Sequence, residues 1–493
     1  MKRLVMSNGG SVESFLETED YTNELMKQIL AGAPYNGQAF DKYTLLDDAY
    51  RGAGGFADGS YLIPHTRERN EKYVRRRNMA YYVNYVKPIV DAHINPIFRN
   101  EPSRDKMSPT FELFTHDVDG NGTPLTRFMK KAAIASKLHG VEFIVVDMER
   151  IGDDEVVTRR DMLDNRLFPY LYLVSPAQIN NWATDKFGRL VYISYNVTSS
   201  VTDDNGSYKN ITETYIWTKD VCKRVVDDKE ETFVNHVGTI PIVPLYGTIN
   251  NTDDLIVQSD MYSVAQASVA LYNAMSEMRE RSRSQAFSVL TYPLDVDDDY
   301  ESGAEGLTVG TADVLMYKNG SQKPEWITPP EDSTNIIETE INLIIKQIYR
   351  ECNMSYLNTN TISNVSGVSR HWDMLNMFAT MLELSQGCQE AEVRIAKIFS
   401  SYVGEDNSEF SVSYNKEFGI VDPAEVLANA TSVLAMNVCG DLNVEVKRQV
   451  IRAILADVDS AVVTHVLHAL DNEPTKEEPI SKEDVSVIQP TAK

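Results

Sequence analysis

The spacing of apolar residues changes period several times along this chain, and each change predicts a boundary between elements. Residues 1–60 mix polar helical patterns with glycines (Gly52, Gly54, Gly55, Gly59), which predicts a loosely packed leading segment. From Thr66 to Ile97 the pattern is helical and dense in Arg and Tyr, with breaks at Pro88 and Pro96. A helix is predicted over 123–139, with Thr123 as N-cap, Pro124 at the first helical position and Gly140 just past the end. Its stripe is Leu125, Phe128, Met129, Ala132 and Leu138, and a strand follows at Val141–Asp147. Residues 168–246 switch to short strand-like runs separated by Asn, Asp and Gly: Tyr170–Val174, Leu190–Tyr195, Thr212–Thr218 and Ile240–Tyr246. These predict an antiparallel sheet.

The helical period then returns over 257–286, with Met261, Val264, Ala265, Leu271, Tyr272, Met275 and Met278 on one stripe. At 1.5 Å per residue this is a rod of ~45 Å. An insert at 287–331 reads as strand and turn, including Phe287–Tyr292, Val314–Tyr317 and Trp326–Thr328, and ends at Pro329-Pro330. A second helix over 332–352 carries Ile337, Ile341, Ile344, Ile345 and Ile348 on one face and Asn335, Thr339, Asn342, Lys346 and Arg350 on another. A polar loop, 353–366, leads into a long helix at 367–402, where Gly387 is a place to bend. Shorter helices are predicted at 424–437, 443–456 and 458–470, within a helical region spanning 403–471. The polar, Pro-containing tail at 472–493 has the composition of a disordered segment. The fold class is α+β.

Composition narrows the function. Lys+Arg number 47 against 72 Asp+Glu, a formal net charge of −25. So acidic a chain is unsuited to gripping nucleic acid over a wide area, because phosphate affinity comes from Lys and Arg. Brief contact with DNA is not excluded. Apolar runs such as Phe143–Val146 fall far short of the ~20 residues that span a bilayer, so no membrane partner is expected. The first ten residues lack the apolar region of a secretory signal. Cys222, Cys352, Cys388 and Cys439 form no CxxC pair and read as reduced thiols of a cytoplasmic product.

The search for chemistry finds no phosphate-binding glycine loop, zinc-protease motif or nucleophile elbow. His465 and His468 lie three apart, but ordinary histidines explain them better than a metal. Asp117, Asp119, Asn121 and Gly122 match half of a calcium loop, yet Phe128 stands where the closing Glu belongs. A second acidic loop, Asp295, Asp297 and Asp299, lacks both Gly and Glu. No catalytic, cofactor or metal site is expected, and neither is enzymatic activity. Arg67, Arg69, Lys72, Arg75, Arg76 and Arg77 precede Tyr81, Tyr82 and Tyr85. Cations with aromatics fit single-stranded nucleic acid, but in so acidic a chain a structural or subunit-interface role is the better reading, with Arg75, Arg76, Arg77, Tyr81 and Tyr82 as candidates.

Several segments, in order, resemble the portal (connector) proteins of tailed bacteriophages. They are Tyr73-Val-Arg-Arg-Arg-Asn-Met-Ala-Tyr-Tyr-Val-Asn-Tyr85 leading to Pro88, then Ile97-Phe-Arg-Asn-Glu-Pro102, and Leu138-His-Gly140 before the 141–147 strand. Ser175-Pro176 with Asn181-Trp182, Ile240-Pro241 through Gly247, Leu271-Tyr-Asn273 with Ser276-Glu277, and Ser366-Gly-Val-Ser-Arg370 complete the series. No segment is specific alone; their order and spacing over about 65–402 carry the likeness. The resemblance implies a ring of about twelve subunits around a DNA channel, at one capsid vertex of a virion assembled in the host cytoplasm. It implies packaging and ejection of double-stranded DNA, and the major capsid protein, the terminase packaging motor and a head–tail adaptor as partners.

On that resemblance, 61–256 is the α/β wing, 257–286 and 332–352 the two-helix stem, 287–331 a small β-containing clip and 353–366 the tunnel loop. The 367–402 helix is then a long bent wing helix and 403–471 a helical crown. A channel that lets a duplex slide cannot hold phosphates tightly, so acidic walls with a few cations suit it. Candidates to face DNA are Lys346, Arg350 and Asn342 on the second stem helix, and Asn358, Asn360 and Asn364 in the loop. Lys346 and Arg350 could instead pair with Glu338, Glu351 or the next subunit. The competing readings are another virion component, such as a head–tail adaptor or capsid protein, and a metal-dependent hydrolase using the acidic loops.

Overall fold

The computed structural model describes residues 37–149, 167–202, 208–227, 229–248, 254–285, 289–294, 314–318, 325–327, 332–354, 367–418, 423–436, 439–454 and 460–471. Two compact units divide the chain, residues 1–418 and 419–493.

The larger unit opens with α1 (Gly37–Arg51), a single-turn α2 (Gly55–Asp58), α3 (Asn70–Met79) and α4 (Val86–Ile94). A short strand β1 (Ser103–Asp105) precedes α5 (Pro109–His116) and α6 (Leu125–His139). Ser108 caps α5 by accepting the Phe111 amide, with Pro109 in the first turn where no donor is needed. Helix α6 starts later than predicted: Pro124 keeps extended backbone (ψ 151°) and is itself the cap. The reason lies upstream, where the Thr123 amide donates to Asp119 Oδ1 at 3.3 Å and is drawn into the turn. That turn's carboxylates accept its own amides, Gly120 to Asp117 and Asn121 to Asp119. The predicted stop holds, with Gly140 at φ +94° and its amide donating to Ser136 O.

The strands that follow are β2 (Val141–Asp147), β3 (Tyr170–Val174), β4 (Ile179–Thr184), β5 (Leu190–Thr202), β6 (Tyr208–Thr218), β7 (Val221–Val226), β8 (Lys229–Val234) and β9 (Ile242–Tyr246). The sequence predicts one antiparallel sheet here; the structure has two. Strands β4 to β8 form a five-stranded antiparallel meander in chain order. Strand β2 instead takes β3 and β9 on either side, giving the order β3-β2-β9. The cause is β2 itself, every residue of which is buried. Its Ile144 and Val146 pack into the helical core, while Val141, Phe143 and Val145 pack with Ile193, Tyr195 and Trp217 of the meander. A strand apolar on both faces needs cover on both, and this small sheet is the partition between two cores.

Next come α7 (Met261–Gln285), β10 (Val289–Leu294), β11 (Val314–Lys318), β12 (Glu325–Ile327), α8 (Asp332–Glu351), α9 (Gly367–Val403) and β13 (Ser411–Ser413). Helix α9 runs unbroken through Gly387. Strand β13 pairs antiparallel with β1, bringing Arg104 opposite Val412. The smaller unit holds α10 (Pro423–Met436), α11 (Gly440–Ile454) and α12 (Ser460–Asp471).

A buried charge pair braces the late part of the larger unit against the early part. Arg104 of β1 grips Glu392 of α9 through two hydrogen bonds of 2.9 and 2.7 Å, and the Tyr414 hydroxyl donates to the same carboxylate. Glu392 has no exposed side-chain surface. Removing one partner of such a pair leaves an uncompensated charge. Glu392→Gln is therefore expected to cost about 3–5 kcal/mol in a denaturant unfolding curve; a change indistinguishable from wild type would refute the bracing role.

A second clamp holds α1. His139, at the end of α6, lies between Glu142 (Nδ1 to Oε2, 3.1 Å) and Asp47 of α1 (Nε2 to Oδ1, 3.3 Å), with the Tyr43 ring edge-on. Burial opposes a charge on His139, but the two carboxylates outweigh it and raise its pKa to about 9. A histidine raised above its ordinary value stabilises the fold fully below that value and loses the contribution as pH rises through the raised one. Stability is thus expected to fall between about pH 6.5 and 9 by an amount on the order of 2–3 kcal/mol. The His139→Gln variant should show a flatter profile, and an equally steep one would remove His139 as the cause.

Candidate functional site

Helices α7 and α8 form an antiparallel hairpin closed at both ends. At the far end, β10 leaves α7 and β12 leads into α8, and the two strands pair antiparallel with Val289 opposite Ile327. Strand β11 adds in parallel on the other side of β10. At the root, Cys352, just past the end of α8, comes back to Asp260, which immediately precedes α7 and acts electrostatically on its thiol.

The root is the most polar buried place in the hairpin. Lys137 of α6, 1 % exposed, pairs with Asp260 at 2.5 Å. Ser259 bridges the same joint, donating to Lys137 O and accepting the Met261 amide, both at 3.0 Å. This cap starts α7 at Met261, four residues inside the predicted start. Two glycines let the segments close up. A Cβ on Gly140 would stand 2.4 Å from Val257 O, and one on Gly247 2.0 Å from Ser136 O. Burial and then the Lys137 charge hold the pKa of His93 below its ordinary value, and burial pushes the Cys352 thiol up to about 12.

Between root and sheet the two helices share one core. Met261, Val264, Ala265, Leu271 and Tyr272 of α7 meet Ile341, Ile344 and Ile348 of α8 in one buried cluster. The opposite side of α8 is exposed and carries Asn335, Thr339, Asn342, Lys346 and Arg350 in one row. Lys346 and Arg350 lie in the C-terminal half, where positive charge complements the helix dipole, and Glu338 and Glu340 in the N-terminal half. Neither Lys346 nor Arg350 forms an ion pair among the described residues. Three of the candidate DNA-facing residues, Asn342, Lys346 and Arg350, are thus together on one exposed face. Asn358, Asn360 and Asn364 lie outside the described residues, as do most of the 353–366 loop and the acidic loop at 295–306.

The Arg/Tyr segment divides in two. Arg76 is buried, with Nε and Nη2 on Glu68 at 2.9 and 2.8 Å, Nη1 on Ser276 Oγ at 3.2 Å and Nη2 also on Ile63 O. Tyr82 stacks on Phe56 and donates to Ala49 O. These two side chains fix α3 and α1 to α7 within the chain. Arg75, Arg77 and Tyr81 face outward, and Arg279 of α7 lies over the Tyr81 ring at 5.1 Å. Residue type did not separate Arg75 from Arg76; the bonds to Glu68, Ile63 O and Ser276 do.

Sequence reasoning passed over Lys137 and Asp260. A signal existed: Lys137 stands four residues after Ala133 and eight after Met129, on the inward stripe of α6. Its partner, 123 residues away, had none. Among the described residues, no group of three His, Cys, Asp or Glu side chains could hold a metal ion, and no helix is long and apolar enough to cross a membrane.

No protein-family model and no curated protein matches the chain. Solved structures do. The virion of a native gene transfer agent particle contains a chain similar over 80% of this one and 95% of its own length, at 14% identity and a TM-score of 0.38. The neck of an empty gene transfer agent particle, computed with C6 symmetry, contains one similar over 84% and 95%, at 12% identity and a TM-score of 0.42. Both superpositions are loose.

The root makes an asymmetric prediction. Lys137→Met fills the buried space with an apolar chain and leaves Asp260, 39 % exposed, to water. Asp260→Ala strands a buried ammonium. We expect Asp260→Ala to lose about 3–5 kcal/mol and Lys137→Met roughly 1 kcal/mol or less, measured by chemical unfolding. The reverse ranking would show that the cost lies in the exposed Asp260 carboxylate and not in the buried Lys137 ammonium.

Proposed function

We propose that this chain is the repeating subunit of a portal-type ring at one vertex of a capsid, through which double-stranded DNA is packaged and ejected. The observation that carries the reading is the α7/α8 hairpin: two antiparallel helices rooted in a buried core, tipped by a small sheet, with one side of α8 left polar and cationic. The run of portal-like segments from Tyr73 to Arg370 supports it independently of the geometry. In this reading α7 and α8 are the stem, the β10–β12 sheet belongs to the clip, and the α8 row faces the channel. The major capsid protein, the packaging motor and the head–tail adaptor are its partners in the virion, and its role is structural, with no reaction of its own.

The row suits a sliding duplex. Each neutralised phosphate adds affinity that must be broken at every step, so a good channel wall offers few cations. Asn335, Thr339 and Asn342 offer neutral hydrogen bonds, and Lys346 with Arg350, repeated around a ring, would form two belts of positive charge. The chain's net charge of −25 repels the phosphate backbone overall and keeps it from sticking.

Two measurements test this. Purified protein imaged in negative stain should give rings with a central hole. Reversing both cations, Lys346→Glu with Arg350→Glu, should leave ring assembly intact and sharply reduce the DNA packaged into particles in an infection or packaging assay. Unimpaired packaging by the double variant would rule out the row as the DNA-facing surface.

A further inference from the structure

We propose that neighbouring copies of this chain meet through two unlike faces of the hairpin region: the cationic face of α3 on one copy and an acidic, apolar flank of α8 on the next. The inference rests on the ring reading above and names the surfaces that would build the ring.

The first face is a concentration of positive charge on a chain of net −25. Lys72 and Arg75 of α3 are exposed, with Glu71 the single acid of that helix, and Arg279 of α7 lies over Tyr81 just past its end. Two apolar side chains sit among these cations, Val74 and Tyr81, 37 % and 46 % exposed. The buried Arg76–Glu68 pair and its bond to Ser276 fix α3 against α7, so this face is preorganised.

The second face lies on α8. Ile336, Glu340, Leu343 and Gln347 recur at intervals of four, three and four, so they form one stripe along the helix. The stripe runs beside the polar row and away from the buried Ile341, Ile344 and Ile348. All four residues are exposed, and Ile336 and Leu343 are 67 % and 55 % exposed. Two large aliphatic residues two helical turns apart, at contact spacing, are what a partner helix uses as anchors.

Complementarity selects the occupant. Each face presents two apolar residues flanked by charge, positive on α3 and negative on α8. Stripe against stripe would set Glu340 against Glu340, and α3 against α3 would set Arg75 near Arg75. Like pairing is penalised in both cases, so the contact is between unlike faces. A contact of that kind propagates head to tail and closes into a ring when its rotation allows.

The test uses two full-length variants, Lys72→Glu/Arg75→Glu and Glu340→Lys/Gln347→Lys, read by mass photometry beside wild type. Each variant alone should form about tenfold fewer assembled particles. An equimolar mixture should recover them, because a ring alternating the two variants has the original pairing at every second junction and the charge-reversed but still opposite pairing at the others. If either double variant departs from wild type in circular dichroism, Ile336→Gln/Leu343→Gln replaces it, with the same loss expected and no recovery on mixing, so that the loss alone is then the test. Wild-type rings alongside variants that assemble equally well would overturn this interface and leave the channel reading standing. Failure of the mixture to recover would overturn the pairing of unlike faces. Wild type that stays monomeric at every concentration would overturn the ring reading and this interface with it.

Discussion

The geometry of the hairpin's root is set by one buried ion pair, Lys137 with Asp260. Lys137 lies in the last turn of α6, and the C-terminal ends of α4 and α8 arrive at the same place through His93 and Cys352. Three helix C-termini bring three sets of unsatisfied carbonyls and three negative dipole ends together. A cation is the charge favoured there, and Lys137 supplies it. Asp260, immediately before α7, sits where a carboxylate is favoured by the opposite dipole end. His93 is held toward its neutral form and Cys352 toward its thiol, so neither competes with the charge that organises the joint.

Fixing the joint decides which surfaces the hairpin exposes. The isoleucines of α8 pack toward α7 and Tyr349 meets Tyr85, while the Asn335–Arg350 row and the Ile336–Gln347 flank are exposed. Because the root and the β10–β12 sheet tie both ends, the helix cannot roll to hide its exposed aliphatic residues. The same constraint holds α3, since Arg76 reaches through to Ser276 in the middle of α7. A long-range pair in the interior therefore dictates the composition of the exterior.

Local features were legible in the sequence, and long-range ones were not. The helical periods at 261–285 and 332–351, the Gly140 stop and the strand at 141–147 follow from residues within a few positions of one another. The early start given to α7 failed because Ser259 and Asp260 are held by Lys137, 122 and 123 residues back in the chain. The reading of a single antiparallel sheet failed for the same reason, since β2 pairs with β9 about a hundred residues later in the chain. Of the candidate site residues, Asn342, Lys346 and Arg350 share a face because helical spacing alone requires it. Arg76 and Tyr82 look like Arg75 and Tyr81 in the sequence, and tertiary contacts alone separate the two pairs. The polar stretch 353–366 was legible only as composition and position.

In the proposed ring, the exposed surfaces of the hairpin differ in a way that would give them different work. A contact between permanent neighbours must bury apolar area to persist, whereas a wall along which DNA moves must not stick to it. The row from Asn335 to Arg350 contains no apolar residue, and its two cations stand one turn apart near one end. The flank from Ile336 to Gln347 contains two large aliphatics and an acid, a composition repelled by phosphate and suited to the Val74, Arg75 and Tyr81 face. Were the assignment exchanged, the flank would present Glu340 to a polyanion, and the row would leave Ile336 and Leu343 in water within the finished ring. Both outcomes cost free energy, so the two sides of α8 have one self-consistent assignment within a ring: row to the channel, flank to the neighbour.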